Sequence, residues 1–244
     1  MIMRFPEKIV KLILLFSLSL SVSLQASVIE KNLTPGQRLT IVFSENKPGG
    51  EDVQKKYFEQ AFPLAQAAGM QEITTFKVEK TLAGPGKPEG SGLYSWPSKE
   101  ASQKSRQNPQ YLKDIKPLRG LAWNELQSTD VDITAPLALT LDKEKRYTIA
   151  LLWLQDKAAY KSYFSGTQAL RDKLGIKTIF ALTPSRHETI AAGETTPPDL
   201  AVLLEWPQTA STDDYVESPE FQAHHEQFKK GVADIRWFQL GFWN

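Results

Sequence analysis

Two neighbouring histidines near the carboxyl end of the sequence, His224 and His225, have side chains suited to proton transfer or metal ligation. They stand in residues 218–228, where Phe221, His225 and Phe228 follow the spacing i, i+4 and i+7. This spacing is typical of one face of a helix. We therefore expect His225 to face a sheet, as the candidate catalytic residue, and His224 to lie at the rim of a pocket.

Aromatic residues at matching intervals complete the predicted pocket. Trp206-Pro207 stands twelve residues before Ser218-Pro219, and Trp96-Pro97 stands twelve residues before Asn108-Pro109. A serine or asparagine followed by proline is a common start of a helix, because the first side chain caps it and proline fits its first turn. The predicted ligand-binding residues are His224, Phe221, Trp206, Tyr111 and Trp96.

The histidine helix differs from its earlier copy at one position that matters for chemistry. Aligning the two copies places His225 opposite Ile115, so a titratable ring replaces an apolar side chain in one copy only. It can serve as a hydrogen-bonded structural residue or as a proton acceptor. His187 and Glu188 could add metal ligands to this pair, but the sequence lacks the spacing of a dedicated metal site. We predict no metal.

These elements belong to an internal duplication of the chain. Arg-x-Thr-Ile begins at Arg38 and at Arg146, and Tyr-Phe begins at Tyr57 and at Tyr163, each before a glycine that ends a helix pattern. Each copy is expected to run β-α-β-β-α-β, a ferredoxin-like unit of the α+β class. The expected strands are residues 38–43, 73–82, 93–96 and 121–126, then 146–153, 176–182, 200–206 and 235–243.

The repeat divides the chain into two predicted units joined by a linker. Residues 27–128 form the first ferredoxin-like unit, 129–145 the linker and 146–244 the second unit. A four-stranded sheet with helices on one side leaves its other face uncovered. We therefore expect the two sheets to pack against each other within one chain.

The first 26 residues have the pattern of a signal peptide. Arg4, Lys8 and Lys11 lead into an apolar stretch at residues 12–24, which is shorter than a membrane-spanning helix requires. We expect cleavage after Ala26 or Ser23 and a periplasmic or secreted protein. With no cysteine in the sequence, neither a lipid-modified cysteine nor disulfides are expected, and so no stable membrane anchor after cleavage.

The charge balance argues against a nucleic-acid partner. The chain has 29 basic and 28 acidic residues; removal of residues 1–26 takes away three basic and one acidic, leaving 26 against 27 and a formal charge of −1. Binding to phosphate backbones requires a strongly basic surface. The expected partner is instead a small apolar or aromatic molecule.

The two Trp-Pro segments with their Asn-Pro and Ser-Pro helices resemble the dimeric α/β-barrel superfamily, especially the antibiotic-biosynthesis-monooxygenase-like proteins and their uncharacterised relatives. The resemblance implies two ferredoxin-like units, usually from a homodimer, and here from one chain, so that a monomer suffices. It implies a small-molecule-binding protein or a cofactor-independent monooxygenase-like enzyme with His225 as proton acceptor. Relatives that bind haem draw a histidine from this region, so a haem-binding protein using His225 is one alternative. A non-catalytic structural or ligand-sequestering module is the other.

Overall fold

The chain folds into two successive ferredoxin-like units, as the repeat predicts. The structure, a computed structural model, describes residues 27–243. The predicted signal peptide at residues 1–26 lies outside the described residues.

The first half carries four long strands and a broken second helical segment. It contains β1 (Val28–Leu33), β2 (Arg38–Asn46), α1 (Glu51–Ala67), β3 (Gln71–Ala83), β4 (Gly90–Trp96) and α2 (Lys99–Arg106). A π-turn (Tyr111–Ile115), a 3₁₀ turn (Lys116–Leu118) and the single turn α3 (Arg119–Ala122) lead to β5 (Trp123–Asp132). β6 (Leu137–Asp142) then pairs antiparallel with β1 and connects the halves.

The second half repeats this order with a continuous final helix. It contains β7 (Arg146–Leu154), α4 (Lys157–Gly166), α5 (Gln168–Lys173), β8 (Lys177–Leu182), β9 (Arg186–Thr189), β10 (Gly193–Thr195), β11 (Leu200–Trp206), α6 (Thr212–Glu217), α7 (Pro219–Gly231) and β12 (Val232–Gly241). α7 begins as predicted: the amide of Phe221 donates to Ser218 Oγ at 3.1 Å, and Pro219 takes the first position.

Ten strands from the two halves join in one sheet, and β1 and β6 form a separate two-stranded sheet. The order of the ten-stranded sheet is β10-β9-β5-β2-β4-β3-β12-β7-β11-β8, all antiparallel, so each half keeps the ferredoxin-like order of its own four strands. β3 extends beyond β4 to pair with β12, and β9, which follows β8 after residues 183–185, pairs with β5. The two halves therefore share hydrogen-bonded edges and form a barrel.

The inside of the barrel is the main apolar core. Alternate residues of β2 and β7 point inward and are fully buried: Leu39, Ile41 and Phe43, and Tyr147, Ile149 and Leu151. Burying a large apolar side chain contributes about 1.5–3 kcal/mol. The residues between them face the outer helix layers, which is where a pocket between sheet and helix can form.

The last strand of the first half differs from its predicted position. β5 spans Trp123–Asp132 instead of residues 121–126, so the predicted linker at 129–145 begins inside a strand. Asp130 and Asp132 suggested a loop, yet both accept hydrogen bonds from Arg38 on the neighbouring β2, at 3.1 and 2.7 Å. A carboxylate that is paired with a cation can be buried in a strand, whereas burying an unpaired one would be too costly.

A repeated hydrogen bond supports the equivalence of the halves. The indole of Trp96 donates to Thr40 Oγ1 at 3.1 Å, and the indole of Trp206 donates to Thr148 Oγ1 at 2.9 Å. Both tryptophans are buried against the helix-facing side of their sheets. Within residues 27–243, none of the helices has the length and apolar character needed to span a bilayer.

Candidate functional site

A cavity of about 670 Å³ lies between the sheet of the first half and its helices. Ligand pockets for small molecules range from about 300 to 1,000 Å³. Its lining mixes aromatic with polar and charged side chains, and the aromatic ones include Tyr57, Phe58, Phe62, Tyr94, Trp96 and Trp123. Some of these rings pack against each other, with Tyr57 5.1 Å from Trp123 and Phe62 6.2 Å from Tyr94, and the sides that they turn to the cavity offer apolar surface with few rotatable bonds to a ligand.

The corresponding space in the second half is filled by aromatic side chains. The ring of Tyr163 lies 5.0 Å from that of Phe228 and 5.9 Å from that of Phe221, and Phe221 lies 5.4 Å from Tyr215. These residues belong to one packed cluster with Trp206. The same fold therefore encloses a cavity in one half and a packed core in the other.

One extra residue reshapes the first-half helix. From the capping residue to the start of the last strand the chain advances 15 residues from Asn108 to Trp123, but 14 from Ser218 to Val232. The π-turn at Tyr111–Ile115 accommodates this insertion. π-turns of this kind are rare in proteins, and those that occur are often found at functional sites.

The insertion corrects the predicted alignment of His225 with Ile115. Backbone hydrogen bonds fix the register at the helix end: Lys47 N donates to Ala122 O at 3.2 Å, and Gln155 N donates to Gly231 O at 3.0 Å. Counted back from these carbonyls, His225 matches Lys116. By the same count Phe228 matches Arg119, so a buried cation replaces a ring.

One end of the cavity is polar and is lined by Arg106, Lys116, Arg119, Arg186 and Glu188. Behind it lies a buried carboxylate, Asp130, that binds several of the cations. Asp130 is fully buried and accepts from Arg106 at 2.6 and 2.7 Å, from Arg38 at 3.1 Å and from Thr40 Oγ1 at 2.7 Å. Burial by itself raises its pKa, but Arg106, Thr40 and Arg38 together hold the pKa of Asp130 below its usual value. Asp130 is therefore ionised at neutral pH.

A second buried carboxylate comes from the other half of the chain. Glu188 on β9 accepts from Arg119 Nη1 at 3.0 Å, lies 3.4 Å from Lys116 Nζ and pairs with Arg186. Burial raises its pKa, yet these three cations lower the pKa of Glu188 to about 2. Because β9 pairs with β5, the second half completes the polar end of the first-half cavity.

Two tyrosines stand next to this charged end. The hydroxyl oxygens of Tyr57 and Tyr111 are 3.3 Å apart, and both side chains line the cavity. Burial raises the pKa of Tyr57, and the neighbouring Tyr111 raises it further. The hydroxyl of Tyr57 is therefore protonated at neutral pH and can donate a hydrogen bond to a ligand oxygen.

Comparison with known proteins agrees with this architecture. No protein-family model and no curated protein matches the sequence. Among solved structures, an anthrone oxidase-like protein matches with a TM-score of 0.52 at 10% identity, over 86% of this chain and 94% of that one. The chain has a dimeric α/β-barrel fold. Chlorite dismutase from Candidatus Nitrospira defluvii matches with a TM-score of 0.48 at 8% identity, over 86% of this chain and 92% of that one.

The dimeric α/β barrel places four of the five predicted ligand-binding residues at two separate sites, and the fifth, His224, lies at neither. Trp96 and Tyr111 line the cavity of the first half. Trp206 and Phe221 belong to the packed core of the second half. These four residues therefore do not share one pocket, and their part in ligand binding stays a prediction.

The two neighbouring histidines lie on α7, away from the cavity. His225 is half-buried, with its ring 5.4 Å from Phe221 and 6.3 Å from Phe228. His224 packs over Gly166 of α4, where a Cβ would collide with the imidazole. Helix packing thus accounts for His224, and the catalytic role of His225 stays a prediction.

The third histidine, His187, faces the barrel interior. Its Nδ1 lies 2.8 Å from Thr129 Oγ1, and its ring stands edge-on to Trp153. Burial, with help from Arg236 and Arg186, lowers the pKa of His187 to about 4. In residues 27–243 no three histidine, aspartate or glutamate side chains are grouped to hold a metal ion.

A histidine-ligated haem does not fit the cavity of this barrel. All three histidines of the sequence fall within the described residues, and none of them lines the cavity. The region under His225 is occupied by the second-half core.

The three arginines of the cavity were not predicted from the sequence, and Glu188 was considered only as a possible metal ligand. Arg106, Arg119, Arg186 and Glu188 come from three separate stretches of the chain, with no motif linking them. Arg119 could have been recognised by aligning the two helices, because it stands where the second half has Phe228. This match appears only when the one-residue insertion is included in the alignment.

Proposed function

We propose that this dimeric α/β barrel is an exported small-molecule-binding protein that holds a flat aromatic molecule in its first-half cavity. One observation carries the proposal: a cavity of about 670 Å³, lined in part by aromatic rings, lies where the other half of the duplication has a packed core. If both halves served only to stabilise the fold, we would expect both to be close-packed. An open, aromatic first half is consistent with selection for a ligand.

An enzymatic role, as a cofactor-independent monooxygenase-like protein, is the second candidate. The pair of Tyr57 and Tyr111 beside Arg119 favours it, since hydroxyl donors and a cation can stabilise an oxyanion on a bound substrate. An aromatic ketone with an acidic CH₂ group would lose a proton to solvent, and dioxygen would then oxidise CH₂ to C=O with release of water. The likeness of the fold to an anthrone oxidase-like protein suggests this substrate class.

Binding is tested with a neutral fluorescent probe, anthracene-2-carboxamide. We expect saturable binding by the wild type, and at least about tenfold weaker binding by Ser105→Tyr, because Ser105 lines the cavity at the position that Tyr215 fills in the second half. Lys104→Tyr adds the same ring on the same helix at an exposed residue and is the control. Equal binding by both variants would contradict a ligand site in this cavity.

Turnover separates the enzyme from a ligand-sequestering module. Dioxygen uptake with anthrone, absent in Arg119→Gln and retained in Lys113→Gln, supports the monooxygenase-like candidate. Binding without uptake supports the non-catalytic module. A Soret band on addition of haem that disappears in His225→Ala would support the haem alternative instead.

Export and assembly are tested on the same protein. We propose a periplasmic or secreted monomer whose mature chain begins after Ala26 or Ser23. A monomer suffices because the strand extensions of each half already pair with the other half. Amino-terminal sequencing of exported material and light scattering measure both; an uncleaved chain or an obligate dimer would contradict them.

A further inference from the structure

We infer that the ligand of the first-half cavity carries a carboxylate or a similar oxyanion on its aromatic body, bound by the guanidinium of Arg119. This inference rests on the proposed binding function and adds the chemical class of the ligand. It is carried by an unpaired buried donor, by the charge balance around it and by a comparison with the other half.

The donor is the Nε–H of Arg119. The residue lines the cavity and is 7% exposed. Its Nη1 donates to Glu188 Oε1 at 3.0 Å, while its buried Nε has no hydrogen-bond acceptor among residues 27–243. A buried charged donor without an acceptor is costly, and because Nε exposes almost no surface to the cavity, the Arg119 side chain has to shift before an anionic oxygen can accept from it.

A buried arginine elsewhere in the fold shows what full pairing looks like. Arg171, in the second half, is 1% exposed and donates to Thr167 Oγ1 at 2.7 Å, to Phe164 O at 2.6 Å and to Gln168 Oε1 at 2.7 Å. Arg171 is thus surrounded by acceptors, whereas the buried Nε of Arg236 on β12, like that of Arg119, has none among residues 27–243. Arg119 differs from Arg171 because its Nε–H has no acceptor within the described residues.

The charge balance of the polar end favours an anion. The ion-pair network joins five cations, Arg38, Arg106, Lys116, Arg119 and Arg186, to four carboxylates, Asp130, Asp132, Glu188 and Glu194. Five minus four leaves one net positive charge. Two of the carboxylates, Asp132 and Glu194, are 33% and 67% exposed, so the buried part is more positive still.

The second half shows that the fold does not need this charge. At the positions of Arg119 and Lys116 it has Phe228 and His225, and Gln239 occupies the place of Asp130, seven residues into the last strand. The barrel therefore forms around an apolar core on that side. Most of the first-half cations pair with Asp130 or Glu188, and we assign the one positive charge left over to a bound anion.

The experiment compares anthracene-2-carboxylate with its neutral isostere, anthracene-2-carboxamide, by fluorescence titration of the mature protein. We expect the wild type to bind the carboxylate at least about tenfold more tightly. In Arg119→Gln the carboxylate should fall to the affinity of the carboxamide, whose own affinity changes less than about threefold. Arg119→Lys, which keeps the charge and loses the planar N–H group, should lie between them.

The controls separate failure of the subsite from failure of the proposed function. Lys113→Gln removes an exposed cation from the same segment, outside the cavity lining, and should leave both affinities unchanged. If neither probe binds the wild type, the binding function itself is overturned. If both probes bind equally, the binding function is retained and the oxyanion subsite is overturned. If the preference for the carboxylate persists in Arg119→Gln, Arg119 is not part of the oxyanion subsite. Should Arg119→Gln fail to fold, the wild-type preference still decides, and Lys116→Gln, at a half-exposed side chain, should reduce that preference by about threefold.

Discussion

The two halves of this barrel keep the same frame and differ in what lies between sheet and helices. Both repeat the Trp–Thr hydrogen bond, and in both the helix tyrosine, Tyr57 or Tyr163, lies 3.3 Å from a second tyrosine hydroxyl, although the second tyrosines, Tyr111 and Tyr215, stand at non-equivalent positions. The first half nevertheless encloses a cavity, and the second a packed core. A duplicated fold can thus keep one copy for packing while the other opens for a ligand.

Three substitutions between equivalent positions account for most of the difference. Counted from matching glycines, tryptophans and strand starts, the smaller or charged residues of the first half stand opposite larger ones of the second: Ala65 opposite Arg171, Ser105 opposite Tyr215, and Arg119 opposite Phe228. All three first-half residues line the cavity. These side-chain differences, together with the one-residue insertion at the π-turn, distinguish the half with the cavity from the packed half.

The largest expected effect contrasts the two helix tyrosines. Tyr163→Ala should lower the free energy of unfolding by about 3–5 kcal/mol, because Tyr163 is buried among rings that cannot close the space. Tyr57→Ala should cost about 1–2 kcal/mol, since Tyr57 already borders a cavity. Urea unfolding of both variants measures the contrast; equal losses would mean that the first half is packed as tightly as the second.

The second test contrasts the strand extensions that join the halves. Arg186 on β9 lies opposite Asp130, and Lys80 on β3 lies opposite Gln239, the equivalent place. Arg186→Met should cost about 2 kcal/mol, because Asp130 and Glu188 are buried and keep only their other cations.

Lys80→Met is the matched control for that substitution. Lys80 is half-exposed and pairs with exposed Asp213 at 2.8 Å, so its loss should change stability by less than about 1 kcal/mol. Both values come from urea unfolding at low and high salt. An effect of Lys80→Met as large as that of Arg186→Met would show that both joints depend on ion pairs.

The smallest effect concerns pH and the same two extensions, which carry His187 and, in the equivalent place, Thr81. The pKa of His187 is about 4 in the folded chain, below its ordinary value of 6.5. As pH falls from 6.5 to 4 the unfolded chain takes up a proton that the folded chain does not, so this stability is complete above 6.5 and is lost toward 4.

His187→Gln measures this contribution. In the wild type we expect about 1–2 kcal/mol to be lost between pH 7 and 5, after allowance for solvent screening. The variant should show a flatter dependence in that range. Unfolding curves at pH 7, 6 and 5 give the slopes, and identical slopes would show that His187 exchanges protons as freely when folded as when unfolded.

Local patterns in the sequence predicted the repeated elements but not their exact ends. The Arg-x-Thr-Ile strands, the Trp-Pro stops and the Ser-Pro cap depend on near neighbours, and each was found where expected. β5 was predicted too short because Asp130 pairs with Arg38, 92 residues away in the sequence. A carboxylate in the sequence favours the prediction of a turn, and only its distant partner shows that it can occupy a strand.

The sequence by itself determined the duplication, the ferredoxin-like order of each half and two of the cavity residues, Trp96 and Tyr111. Those features follow from periodicity and capping, which act over a few residues. Only the tertiary structure decided which half is hollow and brought Glu188 from the second half beside Arg119 of the first. Closure of the barrel sets that contact, because hydrogen bonding between β5 and β9 joins segments that nothing in the local sequence connects.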